Sequence, residues 1–284
     1  MIRPAFSTVA CPDWTLDRVA STALDMGFEC VELRTFGPAS TRIACDPFLT
    51  GDVKIREMFA ARGIEIAGLG TSVSFDEPIS PSILGFAFGD TERTVRAAKQ
   101  AIDLAAVIEA PLVRVFGFDV PRRETRTSAM SRIVQRLSMA LDHARNTGVK
   151  VVIENGGAFS SADQLAELLD RVRHPLLGVC YSVAVGAAAG DSPERALACL
   201  AGTERVLSMR VKDFRDDEPC ALGEGRVPNE AFVRAFARAG FSGPVIFEWD
   251  RLWMPRLAPA QTVLARAART MFSWMSAKTM AASA

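Results

Sequence analysis

The stretch 150-KVVIENGGAFSSADQLAELLDRVRHPLLGVCYS-182 reads as strand, helix, strand. KVVIEN at 150–155 is a β-branched, mostly apolar run of strand length. Ser160 or Ser161 is placed to cap a helix over 161–172, and a second apolar run follows at 177–181. Strands alternating with helices in this way imply a parallel sheet covered by helices.

The same alternation continues in both directions. Upstream it predicts strands at 4–10, 30–35, 65–70 and 112–118, followed in turn by helices at 15–26, 53–62, 91–106 and 124–147. Downstream it predicts a helix starting at Ser192 and Pro193, a strand at 206–213, a helix at 229–239, a strand at 244–249 and a last helix at 259–275. Eight strand–helix pairs without a linker predict an α/β fold, a single (β/α)8 TIM barrel over residues 1–276, with a frayed tail over 277–284. A doubly wound open sheet would show a Gly-rich fingerprint after its first strand, where this chain has FSTVACPDW at 6–14. The long Ser-, Pro- and Phe-rich loop at 71–89 is expected to cover a substrate.

Composition narrows the function. The chain has 284 residues, with 33 Lys plus Arg against 33 Asp plus Glu, so no net charge draws in nucleic acid or an anionic membrane, and neither is expected as a partner. Six scattered cysteines with no CxxC pair read as reduced thiols. The N-terminus lacks the apolar run of about 7–15 residues that marks a signal peptide, and a cytoplasmic location is expected. Only two histidines are present, His143 and His174, which limits metal and general-base chemistry.

Active sites of barrels lie at the C-terminal ends of the strands, so apolar strands that end in charge are informative. Such ends carry Glu32 and Arg34, Arg114, Glu154, then Arg210, Lys212 and Asp213, then Glu248 and Asp250. Burying an unpaired carboxylate is costly, so Glu154 and Glu248 should each face a polar site or a cation. Arg210 and Lys212, two residues apart on one strand face, are the natural counter-charges. A purely structural salt-bridge cluster on the rim is the competing reading.

Several segments resemble the xylose isomerase-like barrels, a broad group of sugar isomerases, epimerases and related enzymes. They are FSTVACPDWTLDRVASTALDMGFECVELR at 6–34, VVIEN at 151–155, MRVKDF at 209–214 and LGEGRVPNEAFVRAFARAGFSGPVIFEW at 222–249. EWDRLWMP at 248–255 resembles the tail of sugar phosphate isomerase/epimerase-like proteins. The resemblance implies one divalent ion (Mn, Mg, Co or Zn) held by a Glu, an Asp, a His and a second Glu on strands five to eight. It also implies that the two glutamates act as base and acid, and that the chain forms homo-oligomers.

Carried onto this chain, the two glutamates fall on Glu154 and Glu248. The Asp falls on Ser182, a nearby His on Ala184 or Val185, and the His before VKD on Arg210. Half of the metal shell is therefore missing. Arginine has no free lone pair to ligate an ion, but its guanidinium can fill the same space and charge. The sequence thus predicts a metal-independent site with no cofactor, in which Arg210 replaces the ion. His143, on the fourth helix, and His174, ahead of the sixth strand, are expected away from the rim.

The leading functional reading is an isomerase or epimerase that moves a proton next to a carbonyl on a small carbohydrate or hydroxy-carbonyl metabolite. Glu154 and Glu248 form its acid–base pair, and Arg210 and Lys212 stabilise the oxyanion. Glu32, Arg34, Arg114, Ser182, Trp249 and Trp253 bind substrate. The two tryptophans either stack on a sugar face or pack. The apolar SVAVGAAAG at 182–190 either favours a less polar ligand, such as a glycoside or an aromatic-bearing metabolite, or is only a turn. The same apparatus suits a lyase or dehydratase. The alternative class is a non-catalytic barrel that binds a metabolite or partner. A DNA-repair nuclease, which needs several metals and many histidines, is disfavoured. Cys180, with no His beside it, reads as a small buried hydrophobe.

Overall fold

Eight runs pair in parallel in chain order and close on themselves: β1 Arg3–Ser7, β2 Cys30–Arg34, β3 Glu65–Ser74, β4 Leu112–Phe116, β5 Lys150–Glu154, β6 Leu177–Ser182, β7 Val206–Val211 and β8 Pro244–Phe247. The last strand pairs with the first, Arg3 opposite Pro244 and Phe6 opposite Phe247. This is the single (β/α)8 barrel read from the sequence. The computed structural model describes residues 2–36, 41–77, 93–117, 119–122 and 124–276. Most of the loop expected to cover a substrate, and the whole tail at 277–284, lie outside the described residues.

The helices are α1 Leu16–Met26, α2 Asp52–Ala60, α3 Arg93–Val107, α4 Arg126–His143, α5 Ala162–Val172, α6 Val183–Ala188, α7 Pro193–Cys199, α8 Asn229–Arg238 and α9 Ala260–Ser276. Local chemistry sets several of their ends. Thr15 caps α1 by accepting from the Arg18 N–H, and Gly27, at φ 78°, closes it in a left-handed conformation that glycine adopts without strain. Ser161 and Gln164 form a reciprocal capping box on α5. That helix buries Ala162, Leu165, Leu168 and Leu169, the spacing of one helical face. Among the described residues no helix is long and apolar enough to cross a membrane.

Alternation along the strands decides what faces where. One set of strand residues, including Val31, Leu33, Val113, Val115, Val151, Ile153, Met209, Val211 and Phe247, fuses with the helices into the main core. The other set points into the barrel and starts small and apolar: Ala5, Cys30 and Ile246 in one cluster, Leu112, Val152 and Cys180 in another. Two residues further along these strands come Glu32, Glu248, Arg114, Glu154 and Ser182. The same step on β7 runs from Ser208 to Arg210 and Lys212. Cys180 belongs to the apolar layer, and burial pushes its thiol up to about 12. All six cysteines are free thiols.

Several segments differ from the sequence reading: residues 8–10, read as strand, form a 3-10 turn, and residues 71–74, read as loop, extend β3. Residues 183–188, taken as loop, form the short helix α6. The seventh strand stops at Val211, and Asp213–Arg215 turns into a hairpin with Glu218–Cys220. Asp213 is therefore no rim charge. Its buried carboxylate latches the following loop, with Oδ1 accepting from the N–H groups of Phe214 (3.0 Å) and Val227 (3.1 Å). Its Oδ2 accepts from Gly223 (2.9 Å) and Gly225 (3.0 Å). Asp213→Asn swaps an acceptor for a donor facing N–H groups, and urea unfolding should show a loss of roughly 1–3 kcal/mol.

Candidate active site

Arg210 projects from β7 into the centre of the barrel mouth and is fully buried, at 0% exposure. Three carboxylates from three other strands surround its guanidinium. Nη2 donates to Glu32 Oε2 at 2.7 Å, Nε lies 3.2 Å from Glu154 Oε2, and Nη1 donates to Glu248 Oε2. Arg114 Nε approaches the same Glu154 oxygen, at 3.2 Å. Lys212 Nζ donates to Glu248 Oε1 at 2.8 Å and to Asp250 Oδ2 at 3.3 Å. The charges thus alternate across the rim, from Asp250 through Lys212, Glu248, Arg210 and Glu154 to Arg114.

This alternation keeps buried groups ionised. Burial works against the charge on Arg210, but Glu154, Glu248 and Glu32 outweigh it and hold its pKa above the ordinary value. Burial likewise opposes the charge on Lys212, and Glu248 and Asp250 reverse the effect, so its pKa rises. Burial alone would raise the pKa of Glu248, yet Arg210 and Lys212 hold that carboxyl well below the usual carboxylate range. Asp250 shifts upward through its own burial and the charge of Glu248, with Lys212 opposing.

The two glutamates differ in their free atoms. Both oxygens of Glu248 are engaged, one by Arg210 and one by Lys212. Glu154 faces its two arginines through Oε2, at ion-pair distance but without a hydrogen bond, and its Oε1 makes no hydrogen bond among the described residues.

The other residues expected in the site fall around this centre. Arg34, at the end of β2, donates from Nη2 to Ser72 Oγ at 2.6 Å and lies under Trp253, 5.8 Å from the ring centroid. Gly70 lies between Arg34 and Arg114 in the strand register. A Cβ there would stand 2.9 Å from Glu32 Oε1 and 3.3 Å from Arg114 Nη2, so only glycine fits without displacing them. Ser182 sits beside Arg210, its backbone N–H and C=O both held by the Asn155 side chain. Trp249 is corrected from ligand contact to packing: it is buried, stacks on Phe247 and donates its indole N–H to Ala258 O at 3.0 Å. His143 pairs with Asp103, and His174 accepts the Leu176 N–H, so neither joins the rim cluster.

Two contributors, Asn155 and Ser72, escaped the sequence reading of the site, and Asp250, read as a strand-end charge, was given no role in it. Asn155 follows Glu154 directly. Ser72 has no signal in its own sequence. A cavity of about 1180 Å³ lies beside Lys212, lined by Ala184, Val185 and Ala188 of α6 with Phe214 and Arg226. The apolar segment at 183–188 therefore does border the site.

The donor set does not suit a divalent ion. Arg210 stands among the three carboxylates, and the buried Ser182 hydroxyl has no partner. Among the described residues no group of three or more His, Cys, Asp or Glu is arranged to hold a metal.

Comparison with known proteins agrees with this architecture. A family model described as xylose isomerase-like TIM barrel matches residues 20–273. IolI, in a structure described with a zinc atom, superimposes with a TM-score of 0.80 at 17% identity, covering 97% of this chain and 99% of its own. The probable 3-DHS dehydratase AsbF from Bacillus anthracis gives a TM-score of 0.75 at 16% identity, covering 95% of this chain and 99% of its own. An L-ribulose 3-epimerase gives 0.74 at 15% identity, covering 98% of this chain and 99% of its own. Comparison with curated proteins gives no match. One expectation is corrected here. The sequence reading of no cofactor rested on Arg210, whereas IolI, on the same fold, is described with a bound zinc atom, and that expectation does not stand.

Proposed function

Because the chain belongs to the xylose isomerase-like TIM barrel family, we propose that it moves a proton next to the carbonyl of a small hydroxy-carbonyl compound, a carbohydrate or a derivative of one, as an isomerase or epimerase. The observation that carries this reading is the Oε1 of Glu154, a carboxylate oxygen at the rim beside an array of fixed cations and without a hydrogen bond among the described residues.

Glu154 is the base. Its Oε1 takes the proton from the carbon next to the carbonyl, and the carbonyl π pair moves onto oxygen to give an enediolate. Lys212 is placed to stabilise that oxygen. Its ammonium has three N–H donors, of which Glu248 and Asp250 use two. Glu248, held ionised between two cations, fixes Lys212 and Arg210 rather than exchanging protons itself. Protonated Glu154 returns the proton to the neighbouring carbon for an isomerisation, the enediolate's hydroxyl proton passing to the adjacent oxygen as the carbonyl reforms, or to the original carbon after the intermediate turns for an epimerisation. Loss of a β-hydroxyl from the same intermediate would be a dehydration, an outcome that the likeness to AsbF keeps in view.

A second reading is favoured by one observation: Arg210 is already ion-paired with three carboxylates, as a structural lock would be. The barrel would then bind a metabolite without turning it over. Incubation of the chain with three- to six-carbon ketoses in D₂O, followed by NMR, separates the two. Protein-dependent loss of the C–H signal next to the carbonyl is expected. No exchange with a ketose that demonstrably binds would overturn the enzyme reading.

A further inference from the structure

We propose that Arg34 is an anion-binding subsite, so that the ligand of this rim carries an oxyanion group, a carboxylate or phosphate, at the end away from Lys212. The proposal rests on the reading that the rim is a ligand site, but not on proton transfer.

The cations at the rim are Arg34, Arg114, Arg210 and Lys212, and all but Arg34 have a carboxylate partner. No carboxylate among the described residues comes within ion-pair distance of Arg34. The residue is only 5% exposed, and its Nε and Nη1 are buried without any hydrogen-bond partner. Among the described residues its guanidinium has one hydrogen bond, to the neutral hydroxyl of Ser72. Burial, then the nearby charge of Arg114, push its pKa down to about 9, which still leaves it a cation at neutral pH. A buried cation with unused donors is costly to maintain, and an incoming anion supplies both the missing charge and the missing acceptors.

The surroundings suit a ligand end rather than a core lock. Arg34 aligns with Gly70, where the absent side chain makes room for the Glu32 carboxylate and the Arg114 guanidinium next to it. Trp253, 55% exposed, lies over the guanidinium and gives the subsite an apolar wall reachable from solvent. The proposed reacting end, at Glu154 and Lys212, comes from β5 and from the residue after β7, across the barrel mouth from β2. The ligand therefore spans the mouth, with its oxyanion at β2 and its carbonyl end at Lys212.

The test uses three five-carbon probes that differ at one end and lack the aldehyde or ketone that the proposed reaction needs: D-xylonate, xylitol and xylitol 5-phosphate. Calorimetric titration of the full chain should show one anionic probe binding about ten- to a hundredfold more tightly than xylitol, the range for a charged hydrogen-bonded contact. Which probe wins separates carboxylate from phosphate. In Arg34→Met and Arg34→Gln the preference should fall to about threefold or less. Equal binding of all three probes, or a preference that survives both substitutions, overturns the proposal. Should neither variant fold, the Arg34 Nε–H resonance of the unmodified chain decides: a shift with the winning anion but not with xylitol supports the subsite, and no shift sinks it. An anion preference without deuterium exchange leaves this subsite standing and removes the enzyme reading. Exchange without the preference does the reverse.

Discussion

Arg210→Met lowers the unfolding free energy by about 3–5 kcal/mol at neutral pH, the loss expected when one partner of a buried ion pair is removed and the other charge is stranded. Here three carboxylates lose the guanidinium, those of Glu32, Glu154 and Glu248. Lys212 still holds one oxygen of Glu248, and Arg114 still reaches Glu154, but Glu32 is left with no ion pair among the described residues. With total stabilities of about 5–15 kcal/mol, such a loss brings a domain of this kind close to unfolding at ambient temperature. The pH dependence identifies the cause. In the native chain Glu248 is held below its unfolded pKa, so its contribution is present above the unfolded value of about 4.3 and is lost as pH falls through the folded one. In the variant, buried carboxylates without a counter-charge have raised pKa values, so the variant gains relative stability as they take up protons. The gap between the two proteins in urea unfolding should therefore close as pH falls from 7 toward 4. A gap that stays constant would assign the loss to packing around the guanidinium rather than to its charge.

The parts of this site that were legible in the sequence share one property: they follow from the two-residue period of a strand. Cys30, Glu32 and Arg34 step up one interior face, as do Ser208, Arg210 and Lys212, and Ile246 leads to Glu248 in the same way. That period, together with eight alternating units, was enough to gather the rim residues. It could not assign partners, because the pairing of Arg210 with Glu32 joins residues 178 positions apart and depends on the curvature that closes the barrel. Nor could it reveal that Glu248 is saturated while Glu154 is not. The helix at 183–188 was hidden by composition. Gly186 reads as a loop residue, yet it is required because the Tyr181 hydroxyl, bonded to Asp191, occupies the place of a Cβ. Trp249 misled for a related reason: its neighbours on the rim are polar, but its own ring turns back onto Phe247.

Glu154→Gln should reduce deuterium exchange by about 10²–10⁴, the usual contribution of a positioned general base, while ligand binding persists. The amide fills the same volume and keeps an oxygen toward Arg210 and Arg114, so the rim holds its shape while the proton acceptor is gone. Glu248→Gln should behave differently, because Glu248 acts through Lys212. Burial lowers the pKa of Lys212, and Glu248 is the strongest influence opposing that effect, ahead of Asp250. Removing its charge lets the ammonium deprotonate at a lower pH than in the native chain. Exchange in Glu248→Gln should therefore retain much of its rate at the acidic end of the working range and fail early on the alkaline side. Glu154→Gln should lie low at every pH. A Glu248→Gln variant as inactive as Glu154→Gln at all pH values would make Glu248 the proton carrier. It would also require that carboxylate to leave both Arg210 and Lys212 before it reacts.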